Sequence, residues 1–368
     1  MSTQSHLINF VRRRLHEGIS YRLRTFGGGR LANYCRPVSI VIALTERCNA
    51  RCIHCDIWKN RGKEDRPSLD QWRVLLSDLR RWLGPVQVTL SGGEALLNPD
   101  AVELLSFGSS INLFMELLTH GFWEDQAKIE KVVLAGAKRV TISFDGIGET
   151  HDRVRGRDGF FQKTEKTIKT LKRMRQEKAP DLVIRLKSVI MQQNLEAICE
   201  VARFAQREDL EVFFQPIEQN YNTPENERWF DQSETWPSDT GKAIRVVNEL
   251  REMKMRGMPI ANSLAQLEVM IPYFINPAAS RIAVQSHSAH ESRQFCSALT
   301  NLQFQANGDV TVCTAQPPIG NIKSEPIREI WEGRPHWWEN GCCLPGRIGQ
   351  QATNSGKTPT ASTSPEKS

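Results

Sequence analysis

The chain has 368 residues, 39% hydrophobic and 24% charged, which suits a globular protein of one barrel-sized or two smaller domains and excludes collagen-like, coiled-coil and wholly disordered chains. No apolar run reaches the roughly 20 residues of a membrane span, and the opening MSTQSHLINFVRRR has no secretory signal pattern, so a cytoplasmic protein is expected. The net charge of +6 sits in residues 1–37, with seven arginines against Glu17; the other residues balance at 41 basic and 41 acidic, and no nucleic-acid partner is expected.

In chain order, residues 7–24 read as a helix with Leu7, Ile8, Phe10, Val11, Leu15, Ile19 and Leu23 at apolar positions, broken by Gly27-Gly28-Gly29. It suits packing on the domain body, or a basic surface helix for weak contact with an anionic membrane or a partner. Short apolar runs then alternate with helical periods. The runs 38–44, 86–90, 111–119, 139–144, 182–190 and 210–217 read as strands; 68–83, 99–107, 124–136, 159–176 and 194–206 read as helices. Ser68 and Gln71 have capping-box spacing, with Trp72, Leu75, Leu76, Leu79, Trp82 and Leu83 on one helical face. Such alternation predicts an α/β fold with a parallel sheet covered by helices, either an open doubly wound sheet or a partial barrel. Residues 219–239 read as a loop, and 240–275 hold two further helical patterns.

Nine cysteines in a chain without a signal point to metal or redox chemistry rather than disulfides. Cys48, Cys52 and Cys55 follow the first strand on one short loop, where three thiolates can converge on an iron–sulfur cluster, or on zinc with His54 or a distant cysteine as fourth ligand. Polar groups end the other strands: Ser91-Gly92-Gly93-Glu94, Thr119-His120-Gly121, Ser143-Phe144-Asp145-Gly146, Ser188 and Gln215. Ligands bind at this strand edge in parallel α/β architectures.

With these motifs the sequence resembles the radical S-adenosylmethionine (SAM) superfamily over roughly residues 38–217: CNARCIHC after strand one, GGE after strand two and SFDG after strand four. The resemblance implies a partial (β/α)6 barrel. It implies that Cys48, Cys52 and Cys55 hold three irons of a [4Fe–4S] cluster whose fourth iron chelates SAM. Gly92, Gly93 and Glu94 would then receive the methionine amino group, Ser143 and Asp145 the ribose, and Gln215 the adenine edge. Reductive cleavage of SAM would yield a radical that abstracts a substrate hydrogen, with a flavodoxin- or ferredoxin-type electron donor. His54 and His120 depart from the usual aromatic and Asn of the family pattern; His120 suits a substrate contact or a turn bonded to backbone.

The segment LTNLQFQANGDVTVCTA alternates like a hairpin turning at Asn307-Gly308, between Cys296 and Cys313, with Cys342 and Cys343 further on. It resembles the SPASM and twitch extensions of the superfamily over about residues 290–347. The resemblance implies one auxiliary [4Fe–4S] cluster held by Cys296, Cys313 and one or both of Cys342 and Cys343; zinc or buried thiols are the alternatives. The expected organisation is a basic arm over 1–37, the radical SAM barrel over 38–239, a helical linker over 240–289, the auxiliary module over 290–347 and a disordered tail over 348–368. The expected substrate is a small molecule or carbohydrate. One alternative is a peptide delivered by a separate leader-binding partner; another, of a different class, is a zinc-stabilised binding module. Trp229, Trp236 and His120 are candidate substrate contacts.

Overall fold

The computed structural model describes residues 3–26, 34–60, 65–220, 226, 228–277, 297–313 and 316–335. Cys296, Cys342, Cys343 and the predicted tail lie outside the described residues.

A long helix, α1 (Thr3–Phe26), precedes six parallel strands that lie side by side in chain order: β1 (Ser39–Ala43), β2 (Gln87–Ser91), β3 (Phe114–Thr119), β4 (Arg139–Ser143), β5 (Val183–Ile190) and β6 (Glu211–Pro216). Helices α2 (Leu69–Leu83), α3 (Ala101–Ser110), α4 (Ala127–Leu134), α5 (Glu149–Arg155), α6 (Phe160–Glu177) and α7 (Ile198–Arg207) make the crossovers. The six strands and five of these helices match the sequence reading. The addition is α5, whose seven residues ETHDRVR are too short and charged to show a period.

Each strand presents two faces at a spacing of two. Ile40 and Ile42, Val88 and Leu90, Met115 and Leu117, and their counterparts on β4 to β6 are sealed beneath the helices. The intervening residues, among them Thr89, Glu116, Thr141, Arg185 and Lys187, face the concave interior. At α2, Ser68 accepts from the Gln71 N–H while Gln71 accepts from the Ser68 N–H; this reciprocal cap is worth about 1 kcal/mol and fixes where the helix starts.

The strands form an open α/β partial barrel, and a hairpin extends it. β7 (Asn301–Phe304) runs parallel to β1, with Ile40 opposite Leu302, and β8 (Asp309–Thr311) and β9 (Gly320–Asn321) follow antiparallel. The order is β6-β5-β4-β3-β2-β1-β7-β8-β9, a sheet that does not close on itself. Asn307-Gly308 makes the expected turn, with the Asn307 side chain accepting from the Asp309 N–H. Three helices, α8 (Thr240–Met255), α9 (Leu264–Glu268) and α10 (Met270–Ile275), occupy the region read as two. The last described helix, α11 (Ile327–Glu332), sets Trp331 edge-on against Trp82 of α2, and the Trp331 indole N–H donates to the Cys35 carbonyl at 3.3 Å.

Candidate active site

The inward face of the barrel encloses a cavity of about 690 Å³. Cys48, Cys52 and Cys55 line it at the C-terminal ends of the strands, together with Gly92, Gly93, Ser143 and Gln215. The parallel topology brings these residues to one rim from separate segments of the chain.

The cysteine loop is clamped to the segment that leaves α5. The Arg51 N–H donates to the Arg155 carbonyl at 3.0 Å, the Ile53 N–H to the Val154 carbonyl at 3.1 Å, and the Arg157 guanidinium to the Asn49 carbonyl at 2.8 Å. Gly156 permits this approach: its φ is +69°, and a Cβ there would lie 2.1 Å from the Arg51 carbonyl oxygen. Burial pushes the Cys48 thiol up to about 12 and the Cys55 thiol up to about 11. Both resist ionisation until a bound cation repays the cost of the thiolate. The Arg155 guanidinium, 3.5 Å from Cys52 Sγ, already supplies one positive partner.

Glu94 and Asp145 are buried behind the cavity wall and are not among the residues that line it. Glu94 is 1% exposed. Its carboxylate accepts from the Thr119 hydroxyl at 3.0 Å, the His120 N–H at 2.9 Å and the Leu96 N–H at 3.2 Å, and so ties the end of β2 to the end of β3. Burial raises its pKa to about 7 against those bonds. Asp145 is fully buried, accepts from the Val189 N–H at 2.8 Å and forms an ion pair with Arg155. Burial alone would raise its pKa; Arg155, His54 and His151 outweigh that and hold it below the ordinary carboxylate range.

The two glycines between β2 and Glu94 are required by a backbone neighbour. A Cβ on Gly92, whose φ is +131°, would lie 2.3 Å from the Thr45 oxygen, and one on Gly93 2.5 Å from the Arg47 oxygen. The Gly93 and Glu94 N–H groups donate to those same carbonyls at 2.7 and 2.9 Å. This strip carries the β1–β2 pairing directly into the cysteine loop.

His120 lines the cavity and is 5% exposed. Burial pushes its pKa down to about 3, so the ring is neutral. Its Nδ1 accepts from the Phe122 N–H at 2.9 Å, which leaves the proton on Nε2 facing Asn49 Oδ1 at 2.6 Å. His120 therefore steadies the cysteine loop from the β3 side. Of the other candidate contacts, Trp229 and Trp236 pack edge to face and do not line this cavity.

The sequence reading missed two groups. Arg155 is one; its signal was the HDRVRGR run just after SFDG, with arginines on both sides of a glycine beside a ligand edge. The other is the charged floor. Glu116 accepts from Gln87 at 2.7 Å, Thr89 at 2.9 Å and Thr141 at 2.5 Å, while Arg185 donates twice to Glu211, at 2.6 and 2.9 Å. Charged residues alternating with aliphatic ones in β3 and β5 were the available sign.

Among the described residues no three His, Cys, Asp or Glu side chains close on a single metal ion. Three thiols in one wall supply the thiolate donors that an iron–sulfur cluster takes. The radical SAM superfamily model matches residues 42–205, from the end of β1 into α7, a span that includes the cysteine loop.

The chain belongs to the radical SAM superfamily.

A second model, the SPASM iron–sulfur cluster-binding domain, matches residues 296–337 of this radical SAM enzyme. The cofactors are accordingly a [4Fe–4S] cluster and SAM, with auxiliary iron–sulfur binding implied by the second match. This replaces the alternative of a non-catalytic zinc module. The AdoMet-dependent heme synthase of Methanosarcina barkeri is 26% identical over 306 residues, covering 80% of this chain and 82% of that protein. The PqqA peptide cyclase of Bradyrhizobium diazoefficiens is 28% identical over 174 residues, 46% of this chain and 43% of the cyclase. Among solved structures, SuiB of Streptococcus suis bound to S-adenosylmethionine shares the fold with a TM-score of 0.60 at 16% identity, over 83% of this chain and 68% of SuiB. No helix among the described residues is long and apolar enough to cross a membrane.

Proposed function

We propose that Cys48, Cys52 and Cys55 hold the SAM-binding cluster and that the enzyme abstracts a hydrogen atom from a small polar molecule held in the barrel. The supporting observation is that the three thiols and the inward polar side chains share one cavity of about 690 Å³, within the usual range of small-molecule sites. When bound, the cluster and SAM supply one-electron cleavage of the sulfonium and a carbon radical that takes the substrate hydrogen. The electron comes from a flavodoxin- or ferredoxin-type donor.

The chain's own residues bind, orient and exclude water. The backbone of Gly92 and Gly93 presents the methionine end of SAM with its contacts, and Ser143 and Gln215 flank the nucleoside. Glu94 and Asp145 are positioning residues that lock the strand ends these groups stand on. Arg155 neutralises the thiolate of Cys52. The Glu116 network spans the floor of the cavity. Above that floor Lys187 and Glu218 offer opposite charges to a substrate with ionised groups. Cys296 and Cys313, with Cys342 or Cys343, are the proposed auxiliary ligands.

The heme synthase match, spanning four-fifths of the chain, favours a small-molecule substrate. The peptide reading rests on the cyclase match over less than half of it. The two separate in one assay on anaerobically reconstituted, reduced enzyme: substrate-dependent formation of 5′-deoxyadenosine with carboxylated porphyrins, amino sugars and short peptides. A small molecule should raise the rate above the substrate-free background, and deuterium from the labelled compound should appear in 5′-deoxyadenosine. Stimulation by peptides alone would overturn the small-molecule reading and establish the other.

A further inference from the structure

The helix α1 is amphipathic in the wrong sense for a helix that only packs on its own domain. It lies under the barrel, at the N-terminal ends of the strands. The Arg13 guanidinium sits 4.1 Å from the ring centre of Phe114, the first residue of β3, and His16 Nε2 is 2.8 Å from the Pro37 carbonyl, just ahead of β1. Ser20 is 2% exposed, its carbonyl accepts from the Cys35 thiol at 3.7 Å, and Leu23 packs on the core. The side that meets the protein is thus largely polar.

The large aliphatic residues face the other way. Ile8, Val11, Leu15 and Ile19 are spaced three, four and four apart, which aligns them in one stripe, and they are 48%, 45%, 59% and 58% exposed. No other described element leaves so many large apolar side chains in solvent. Exposed Arg12 and Arg22 flank the stripe, and α1 carries five arginines against Glu17 alone. Positive charge beside an apolar stripe, on a helix too polar to span a bilayer, is the pattern of a helix lying in the lipid interface. Its aliphatic side chains enter the acyl boundary, and its arginines reach the phosphates.

We propose that the outward stripe of α1 docks on the surface of an anionic phospholipid bilayer. The strand ends that carry Cys48, Cys52 and Cys55 lie at the opposite end of the barrel, so docking leaves the cavity mouth turned away from the lipid and open to substrate and electron donor. The charge balance agrees: the excess of the whole chain is confined to the segment containing this helix, while the rest is neutral.

The test is co-sedimentation of the full chain with vesicles of phosphatidylcholine, or of phosphatidylcholine and phosphatidylglycerol in equal parts. The wild type should partition onto the mixed vesicles about tenfold or more above the neutral ones, with the difference shrinking as salt rises. Leu15→Glu with Ile19→Glu should abolish binding to both. Arg12→Gln with Arg22→Gln should weaken binding to the mixed vesicles about tenfold and leave the neutral ones unchanged. All four positions are exposed, so circular dichroism and reductive SAM cleavage in solution should match the wild type. Failure of the wild type to bind mixed vesicles, or retention of binding by the stripe variant, would overturn the proposal. So would a lipid-free dimer that the stripe variant dissolves, which would assign the stripe to a second copy of the chain.

Discussion

Replacing Arg155 with Met isolates the buried ion pair on which the cysteine loop rests. Arg155 and Asp145 are 6% and 0% exposed, and the guanidinium also donates to Cys52 Sγ at 3.5 Å. Removing one partner strands the Asp145 charge without solvent, at a cost of about 3–5 kcal/mol. For a urea dependence of about 3 kcal/mol per molar, the unfolding midpoint of iron-free protein should fall by about 1–1.7 M. In Arg155→Met with Asp145→Asn, no charge is stranded, and the amide oxygen introduced by the second substitution can still accept from the Val189 N–H. The double variant should therefore recover most of the loss while still loading iron poorly, because both variants lack the guanidinium that donates to Cys52 Sγ. A shift below about 0.3 M for the single variant, the size expected of an exposed pair, would refute the buried-pair reasoning. So would a double variant as unstable as the sum of the two single ones.

Other outcomes follow from the same geometry. Gly92→Ala should cost about 2 kcal/mol or more, since both its φ of +131° and the Thr45 oxygen 2.3 Å from the new Cβ oppose it; chemical denaturation reads the loss, and a neutral result would contradict the strip described for this loop. His120→Ala removes the bond to Asn49 and the acceptor for Phe122, at about 1–3 kcal/mol, and should speed loss of iron to a chelator. Asp145 has a folded pKa below its unfolded one, so its pair stabilises the fold above about pH 4 and is lost as pH falls through the lower folded value; Asp145→Asn should flatten that part of the acid unfolding curve.

The strands and most helices could be read from sequence because apolar residues at a spacing of two, and helical faces such as Trp72, Leu75, Leu76 and Leu79, are set by local burial. The cysteine loop was legible because its chemistry is contained in eight consecutive residues. The burial of Glu94 and Asp145 was not. Both stand at strand ends, where sequence position says only that a side chain is near the rim. Whether it faces the cavity or the wall depends on partners 25 or more residues away, such as Thr119 for Glu94 and Val189 for Asp145. The β7 hairpin shows the same limit. Its alternation predicted two strands and a turn, but its parallel place against β1 comes from a pairing about 260 residues apart in the chain. The charged floor was not legible because Glu116 and Arg185 sit in strands whose other face is aliphatic, so each segment reads simply as a buried strand.

The central claim is that Cys48, Cys52 and Cys55 hold a redox-active cluster that opens SAM. It is tested most directly by the 5′-deoxyadenosine produced when anaerobically reconstituted enzyme is reduced with dithionite in the presence of SAM, comparing wild type with Cys52→Ala. The wild type should form 5′-deoxyadenosine over many minutes while Cys52→Ala, folded by circular dichroism, forms none. Equal formation by both proteins, or none by an iron-loaded wild type, would contradict the claim.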